Sequence, residues 1–204
     1  MATAEFNGAR IHVATGSVVA FQGDCIVNAA NERGVGGGGV DGAINRAGGE
    51  EMINARQALP LVSPGVRIPS GEVRVTPAFG TLKCKHVIHA CSADYNERPA
   101  GEADFIVRSA YKNALAAAVK LQATSIGFSL LSAGIYRGTQ TLDHVLEQGF
   151  EAIKGNISPG QQVFLVAFTD EERDSLRALL RKYFPSTLNS STGEKQPNDN
   201  QSRI

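Results

Sequence analysis

The chain has 204 residues, 42% of them hydrophobic, and its 20 basic residues are balanced by 20 acidic ones. This length predicts one domain, and the hydrophobic content is enough for a real core. The balanced charge argues against a dedicated nucleic-acid binder, whose phosphate contacts need clustered Lys and Arg. The three cysteines, Cys25, Cys84 and Cys91, cannot all pair with one another. We therefore expect reduced thiols in an intracellular compartment, cytoplasm or nucleus. The N-terminus has no basic region followed by a long apolar run, and no apolar stretch approaches about 18 residues, so we expect neither a secretory signal nor a membrane span.

The two ends of the chain differ in composition from the part between them. Residues 1–8 are expected to be a loose N-terminus, and residues 9–184 to form the domain. Residues 185–204 are polar with almost nothing apolar, so they are predicted to be a disordered tail that cannot bury enough surface to fold.

Between the ends, short apolar runs alternate with helical patterns. Strands are predicted at Arg10–Ala14, Asp24–Ala29, Glu72–Thr76, His86–Cys91, Ser125–Leu130 and Gln162–Phe168. Helices are predicted at Val40–Ala47, Glu50–Leu59, Glu102–Leu121, Leu142–Lys154 and Glu171–Tyr183, the last one beginning with a capping box of Thr169 and Glu172. This alternation predicts an α/β domain with a largely parallel sheet and helices on both faces. Ligands of such sheets bind outside the carboxyl ends of the strands.

The first candidate site is a glycine loop that follows an apolar strand. The strand ends in Asn28 and Asn31, and the run Gly36-Gly37-Gly38-Gly39 leads through Val40 to Asp41 at the start of a helix. Backbone N–H groups of such a loop can bind an anion together with the helix N-terminus. Asparagines suit a hydroxyl-rich ligand, and a carboxylate can orient or activate a water molecule.

Each of these residues also has a plainer interpretation. Asn28 could hold the loop backbone, and Asp41 could complement the helix dipole as a first-turn acid. The glycine run could be a flexible linker, although linkers do not sit between a buried strand and a helix. Gly34–Gly39 also matches G-x-G-x-x-G, so a dinucleotide-dependent oxidoreductase remains a competing hypothesis, but the glycines begin several residues after the strand.

A second glycine-bearing loop follows the strand at Ser125–Leu130. It reads Ser132-Ala133-Gly134-Ile135-Tyr136, and its small residues let successive N–H groups converge on an anion. The alternative is a simple turn with a buried tyrosine. Together the two loops predict a clamp on a diphosphate.

At these residues the sequence resembles the macrodomain family of ADP-ribose-binding modules. The segment Val27–Asn31, followed by the glycines, Val40 and Asp41, matches the family signature. Further matching segments are Asn45–Gly49, Ser70–Val73 with Thr76, Val87–His89 and Ser132–Tyr136, so that the resemblance covers roughly residues 10–183.

The resemblance implies a three-layer α/β/α sandwich with a mixed, largely parallel central sheet. It implies binding of ADP-ribose, hydrolysis of mono-ADP-ribose from modified proteins and deacetylation of O-acetyl-ADP-ribose. The implied catalytic residues are Asn31, which would orient the distal ribose, and Asp41, which would position a water or engage the ribose. The implied substrate-binding residues are Ser17, Val18, Asn28, Gly36, Gly37, Gly38, Gly39, Val40, Ser132, Ala133, Gly134, Ile135 and Tyr136.

The implied partners are ADP-ribose and ADP-ribosylated proteins, with no cofactor and no metal, and a monomer is expected. A zinc site at Cys84, His86, His89 and Cys91 is disfavoured because two of these residues would point to opposite faces of a strand and none has the usual finger spacing. Ser17 stands where many members carry an aspartate that reads adenine, and Arg137 stands where many carry glycine. A module that binds ADP-ribose without turnover is therefore the alternative to a hydrolase.

Overall fold

Continuous apolar runs form the middle of the sheet because both of its faces are covered by helices. The computed structural model describes residues 1–185, which form seven strands and four α-helices. The strands are β1 (Ala2–Phe6), β2 (Ala9–Thr15), β3 (Gly23–Ala30), β4 (Val73–Pro77), β5 (Cys84–Cys91), β6 (Ser125–Phe128) and β7 (Gln162–Ala167). The helices are α1 (Gly39–Gln57), α2 (Ala100–Lys120), α3 (Leu142–Asn156) and α4 (Asp170–Tyr183).

The strand order is β1-β2-β7-β6-β3-β5-β4. The five inner strands pair in parallel, and the two edge strands, β1 and β4, are antiparallel to their neighbours. This mixed, largely parallel sheet confirms the expected fold class. Because the inner strands run the same way, the loops that follow β2, β3, β6 and β7 meet at one edge of the sheet.

Two hydrophobic cores lie on opposite faces of the sheet. Successive residues of β3 point to opposite faces of the sheet, so Val27 packs into one core and Ile26 into the other. The larger core contains residues of α2, α3 and α4, and the smaller one joins the sheet to α1 through Ile44 and Met52. The sandwich therefore has three layers, with α1 alone on the face nearer the glycine loop.

The expectation that residues 1–8 are loose is wrong. Ala2–Phe6 form β1, which pairs antiparallel with β2 from Ala2↔Val13 to Phe6↔Ala9. The two strands are joined by Asn7 and Gly8, both at positive φ (50° and 75°). An Asn-Gly pair is the preferred two-residue turn of a β-hairpin, so the signal was present in the sequence. The predicted disordered tail lies, apart from Pro185, outside the described residues.

The predicted helices Val40–Ala47 and Glu50–Leu59 are two segments of α1, separated by a break at Gly49. Gly49 has φ 67° and ψ −159°, a backbone region that is essentially restricted to glycine. The capping box of Thr169 and Glu172 at the start of α4 is confirmed. Among residues 1–185, no helix combines the length and hydropathy that crossing a membrane requires.

We expect Gly49→Ala to lower the free energy of unfolding by about 1–3 kcal/mol, because an L-residue is strained at this backbone conformation. No atom outside the neighbouring residues lies within 4 Å of a Cβ at Gly49, so crowding does not contribute. The control is Gly155→Ala in α3, where space is equally open and the backbone is helical. That change should stabilise the protein by up to about 1 kcal/mol. Urea denaturation of both variants tests this, and an unaltered Gly49→Ala protein would contradict it.

Candidate functional site

A cleft of about 430 Å³ opens at the carboxyl edge of the sheet. Its walls come from the segments after β2 and β6, from the end of β7, from the first helical turns of α1 and from the second glycine-bearing loop. The lining residues are Gly16, Ser17, Val18, Gly39, Val40, Ala43, Arg46, Ser129, Leu130, Gly134, Val166, Phe168 and Glu172. The lining is mostly apolar, and a few polar groups lie around it, which is typical of a small-molecule site.

Of the predicted binding residues, five line this cleft: Ser17, Val18, Gly39, Val40 and Gly134. Ser17 also caps a short 3-10 helix, Val18–Ala20, because its Oγ accepts a hydrogen bond from the Val19 N–H at 3.3 Å. Sequence reasoning missed Arg46, Phe168 and Glu172. Phe168 is 78% exposed directly after β7, and an aromatic side chain left exposed at a strand end is a signal that could have identified it.

The N-terminus of α1 lies at the cleft without a side-chain cap. Its N-cap is Gly38, and Gly39 and Val40 in the first turn both line the cleft. The first N–H groups of a helix have no partner within the helix, so they are available to an anion there. Gly36 is a required glycine, since it has φ 137° and a Cβ would lie 2.5 Å from Nδ2 of Asn45.

Asn31 spans the start of the glycine loop. Its Oδ1 accepts from the Gly34 N–H at 3.2 Å, and its Nδ2 donates to the Gly36 carbonyl at 3.1 Å. The side chain is half-buried, and it holds the backbone shape of the loop. Each end of the amide retains one unused hydrogen-bonding position for a ligand.

Asp41 lies in the first turn of α1, buried behind the glycine loop. Its Oδ1 accepts from Asn28 Nδ2 and from an Nη1–H of Arg56, each at 2.6 Å. Its Oδ2 is buried and has no hydrogen-bond partner among the described residues. This oxygen lies 3.2 Å from the position that a Cβ of Gly37 would occupy, so it faces the glycine loop.

Arg56, in the second segment of α1, is the cation paired with Asp41 and is fully buried. Besides Asp41, its guanidinium donates to the Gly34 carbonyl at 2.7 Å and to Asn45 Oδ1 at 2.7 Å. Asn45 in turn donates to the Val35 carbonyl at 3.2 Å. Sequence reasoning missed Arg56, although it follows Met52 by one helical turn on the buried side of α1.

His89 completes the network from β5. Its Nδ1 accepts from Asn28 Nδ2 at 3.0 Å, which leaves Nε2 to donate to Thr76 Oγ1 at 3.0 Å. Burial, with the nearby Arg56 charge, lowers the pKa of His89 to about 3. The ring is therefore neutral at pH 7 and serves the network as one acceptor and one donor.

The second loop is held from behind by the segment that follows β5. Ser132 has φ 58°, and its hydroxyl donates to the Ala93 carbonyl at 2.6 Å, so this side chain turns away from the cleft. The Tyr136 carbonyl accepts from the Tyr95 N–H at 2.8 Å, and the Ile135 carbonyl accepts from Asn96 Nδ2 at 3.1 Å.

The predicted residues of this loop thus differ in their surroundings. Ala133 is buried, Tyr136 is half-buried, and Ile135 is 88% exposed. Gly134 lines the cleft. Its carbonyl accepts from the Arg137 N–H at 3.0 Å, whereas its own N–H has no partner among the described residues and is left to contact a ligand.

Comparisons with known proteins agree on one family. A family model described as Macro domain matches residues 27–141. A Macro domain-containing protein of Xanthomonas campestris is 42% identical over 127 residues, which are 62% of this chain and 70% of that protein. An O-acetyl-ADP-ribose deacetylase of Shigella flexneri is 32% identical over 173 residues, 84% of this chain and 95% of that protein. A variant of the Oceanobacillus iheyensis macrodomain with ADPR has a TM-score of 0.81 at 26% identity, covering 90% of this chain and 98% of that one.

The fold and the cleft define an α/β/α domain with an uncapped helix N-terminus and two glycine-bearing loops at one sheet edge. Because the family model matches more than half of the chain and a relative is 32% identical over 84% of it, this chain belongs to the Macro domain family.

We expect Asp41→Ala to lower the free energy of unfolding by about 3–5 kcal/mol, because it leaves the Arg56 charge buried without its counter-charge. The matched control is Asp143→Ala, an exposed first-turn acid of α3, which should change stability by no more than about 0.5 kcal/mol. Chemical denaturation at pH 7 measures both variants. Equal stabilities would mean that the buried pair contributes nothing to the fold.

Acid should destabilise the protein through His89. The unfolded chain binds a proton near the ordinary pKa of 6.5, whereas the folded protein does so only near 3, so stability falls as pH drops through this window. The loss from this group approaches about 1.4 kcal/mol per pH unit. We expect His89→Gln, which does not titrate, to show a shallower decline between pH 7 and 5. Asp24 does not contribute to the decline in this range. The Lys85 hydrogen bond lowers the pKa of its carboxyl from the ordinary value of 3.8, so both values lie below pH 5. Parallel stability curves of the two proteins would contradict this assignment.

Proposed function

We propose that this protein binds ADP-ribose and hydrolyses ester bonds on its distal ribose. The substrates would be proteins mono-ADP-ribosylated on acidic side chains and O-acetyl-ADP-ribose. In both, water adds across the ester and releases a carboxylic acid and a ribose hydroxyl. The deacetylase name of the Shigella flexneri relative and the ADPR in the Oceanobacillus iheyensis structure support this substrate class.

The shape of the site supports an extended ligand. The apolar part of the cleft, beside Val18, Val166 and Phe168, suits a nucleobase. The uncapped start of α1 and the backbone at Gly134 suit a diphosphate. A ligand placed in this way would direct its distal ribose toward the glycine loop.

The observation that carries the hydrolase proposal is the free oxygen of Asp41. Oδ1 is fixed by two donors, and Oδ2 remains without a partner on the side of Gly37. Once the glycine loop moves at Gly37 to admit a ligand, a carboxylate oxygen held in this way can accept a hydrogen bond from a ribose hydroxyl or from the attacking water. For the linkage at the anomeric carbon, a nearby negative charge also stabilises oxocarbenium character.

Binding without turnover is the second candidate, and it has an observation in its favour. Asp41 is buried, and its pair with Arg56 holds the glycine loop whether or not a reaction occurs. A reader would need this arrangement as much as a hydrolase.

One set of assays separates the two functions. The wild-type protein, Asp41→Asn and the exposed control Asp143→Asn are incubated with a protein mono-ADP-ribosylated on acidic side chains, and separately with O-acetyl-ADP-ribose. Calorimetry with ADP-ribose measures binding by each protein. Asn keeps the size of Asp and an amide oxygen that can accept from Arg56, but it removes the counter-charge as Asp41→Ala does, so circular dichroism checks that this variant is folded.

We expect turnover by the wild type and by Asp143→Asn, and a rate at least about 100-fold lower for Asp41→Asn with binding retained. Binding without turnover by the wild type would establish the reader. Full turnover by Asp41→Asn would remove Asp41 from the mechanism, and neither binding nor turnover would reject both functions.

A further inference from the structure

We propose that Arg56 is a positioning residue of this site, which orders the glycine loop and sets the orientation of the Asp41 carboxylate. This inference rests on the proposed function for its effect on turnover. Its effect on the loop stands on the structure alone, and the experiment below measures the two separately.

The placement of Arg56 depends on the break in α1. Asp41 and Asn45 belong to the segment before Gly49, and Arg56 belongs to the segment after it. The change of direction at Gly49 lets the side chain reach back to the start of its own helix, 15 residues earlier in the chain. Burying a guanidinium is costly unless its charge is paired and its N–H groups find acceptors, and here three acceptors bind Nε and Nη1, while Nη2 has no partner among the described residues.

Two of these acceptors flank the glycine loop, and the third lies on α1. The Gly34 carbonyl marks the beginning of the loop, and Asp41 follows its end. Asn45 adds a third attachment, since it accepts from Arg56 and donates to the Val35 carbonyl. A run of four glycines loses much conformational entropy when it becomes ordered, and these bonds oppose that loss.

The same guanidinium decides which oxygen of Asp41 is free. Arg56 Nη1 and Asn28 Nδ2 both bind Oδ1, so the carboxylate cannot rotate without losing two charge-assisted hydrogen bonds. Oδ2 is thereby kept toward Gly37, where the distal ribose is proposed to lie. A lysine at this position would retain the charge but not the planar fork that reaches carbonyl, carboxylate and amide together.

The test compares the wild type with Arg56→Lys. The control is Leu179→Ala in α4, a core change that lowers stability away from the cleft. Three quantities are measured: amide hydrogen exchange of the peptide covering residues 31–41, the Kd for ADP-ribose by calorimetry, and kcat and KM for O-acetyl-ADP-ribose.

For Arg56→Lys we expect loop exchange about 10-fold faster, about 10-fold weaker ADP-ribose binding and a kcat lowered by about 10- to 100-fold. Leu179→Ala should lower the melting temperature and leave loop exchange, Kd and kcat unchanged. Arg56→Lys with wild-type values in a folded protein would overturn the inference, as would equal effects of the control.

Failure of the proposed function gives a different result. If the wild type turns over no ester, the hydrolase proposal fails, while loop exchange and Kd still decide the role of Arg56. If the wild type also binds no ADP-ribose, unchanged loop exchange in Arg56→Lys overturns the inference, and faster exchange supports it.

Discussion

The buried ion pair between Asp41 and Arg56 is the interaction on which the rest of the site depends. Removing two charges from water is unfavourable, and their attraction offsets that only with good geometry and further hydrogen bonds. Asn28, Asn45 and the Gly34 carbonyl supply those bonds. The pair therefore connects the central strand β3, the glycine loop and both segments of α1 in one arrangement.

The ion pair belongs to a network of buried polar side chains that crosses three strands of an otherwise apolar interior. It runs from Thr76 in β4 through His89 in β5 to Asn28 in β3, and then to Asp41. Each member has a defined donor or acceptor role, and His89 keeps its role because burial holds it neutral. Such bonds favour one arrangement because misplacement breaks them, although Asn28 Oδ1, Asp41 Oδ2 and Arg56 Nη2 have no partner among the described residues.

The two loops are ordered by different means. Side chains of Arg56, Asn45 and Asn31 bind the backbone of the glycine loop. The second loop is bound instead by the segment after β5, through Tyr95 and Asn96, and by the hydroxyl of its own Ser132, which donates to that segment. Both mechanisms engage carbonyls and side chains away from the cleft. These attachments leave the first N–H groups of α1 without a partner within the helix or from a capping side chain.

Local patterns in the sequence determined most of the fold. Apolar runs identified β2 to β7, helical spacing identified the helices, and the glycines at 48 and 49 separated the two segments of α1. The family segments also located both loops, because each is a contiguous stretch of chain. β1 was missed because its Asn7-Gly8 turn signal lies close to the chain end, where loose structure is expected.

Tertiary structure alone decided what the side chains at the site do. Whether Asp41 faces water or a buried cation depends on Arg56, which reaches it across a helix break that spacing does not describe. Likewise, Ser132 belongs to a loop correctly located from its sequence, yet its hydroxyl turns to Ala93. Secondary structure follows from short-range spacing and turn residues. The pairing of buried charges and the direction of loop side chains follow from contacts between segments distant in the chain.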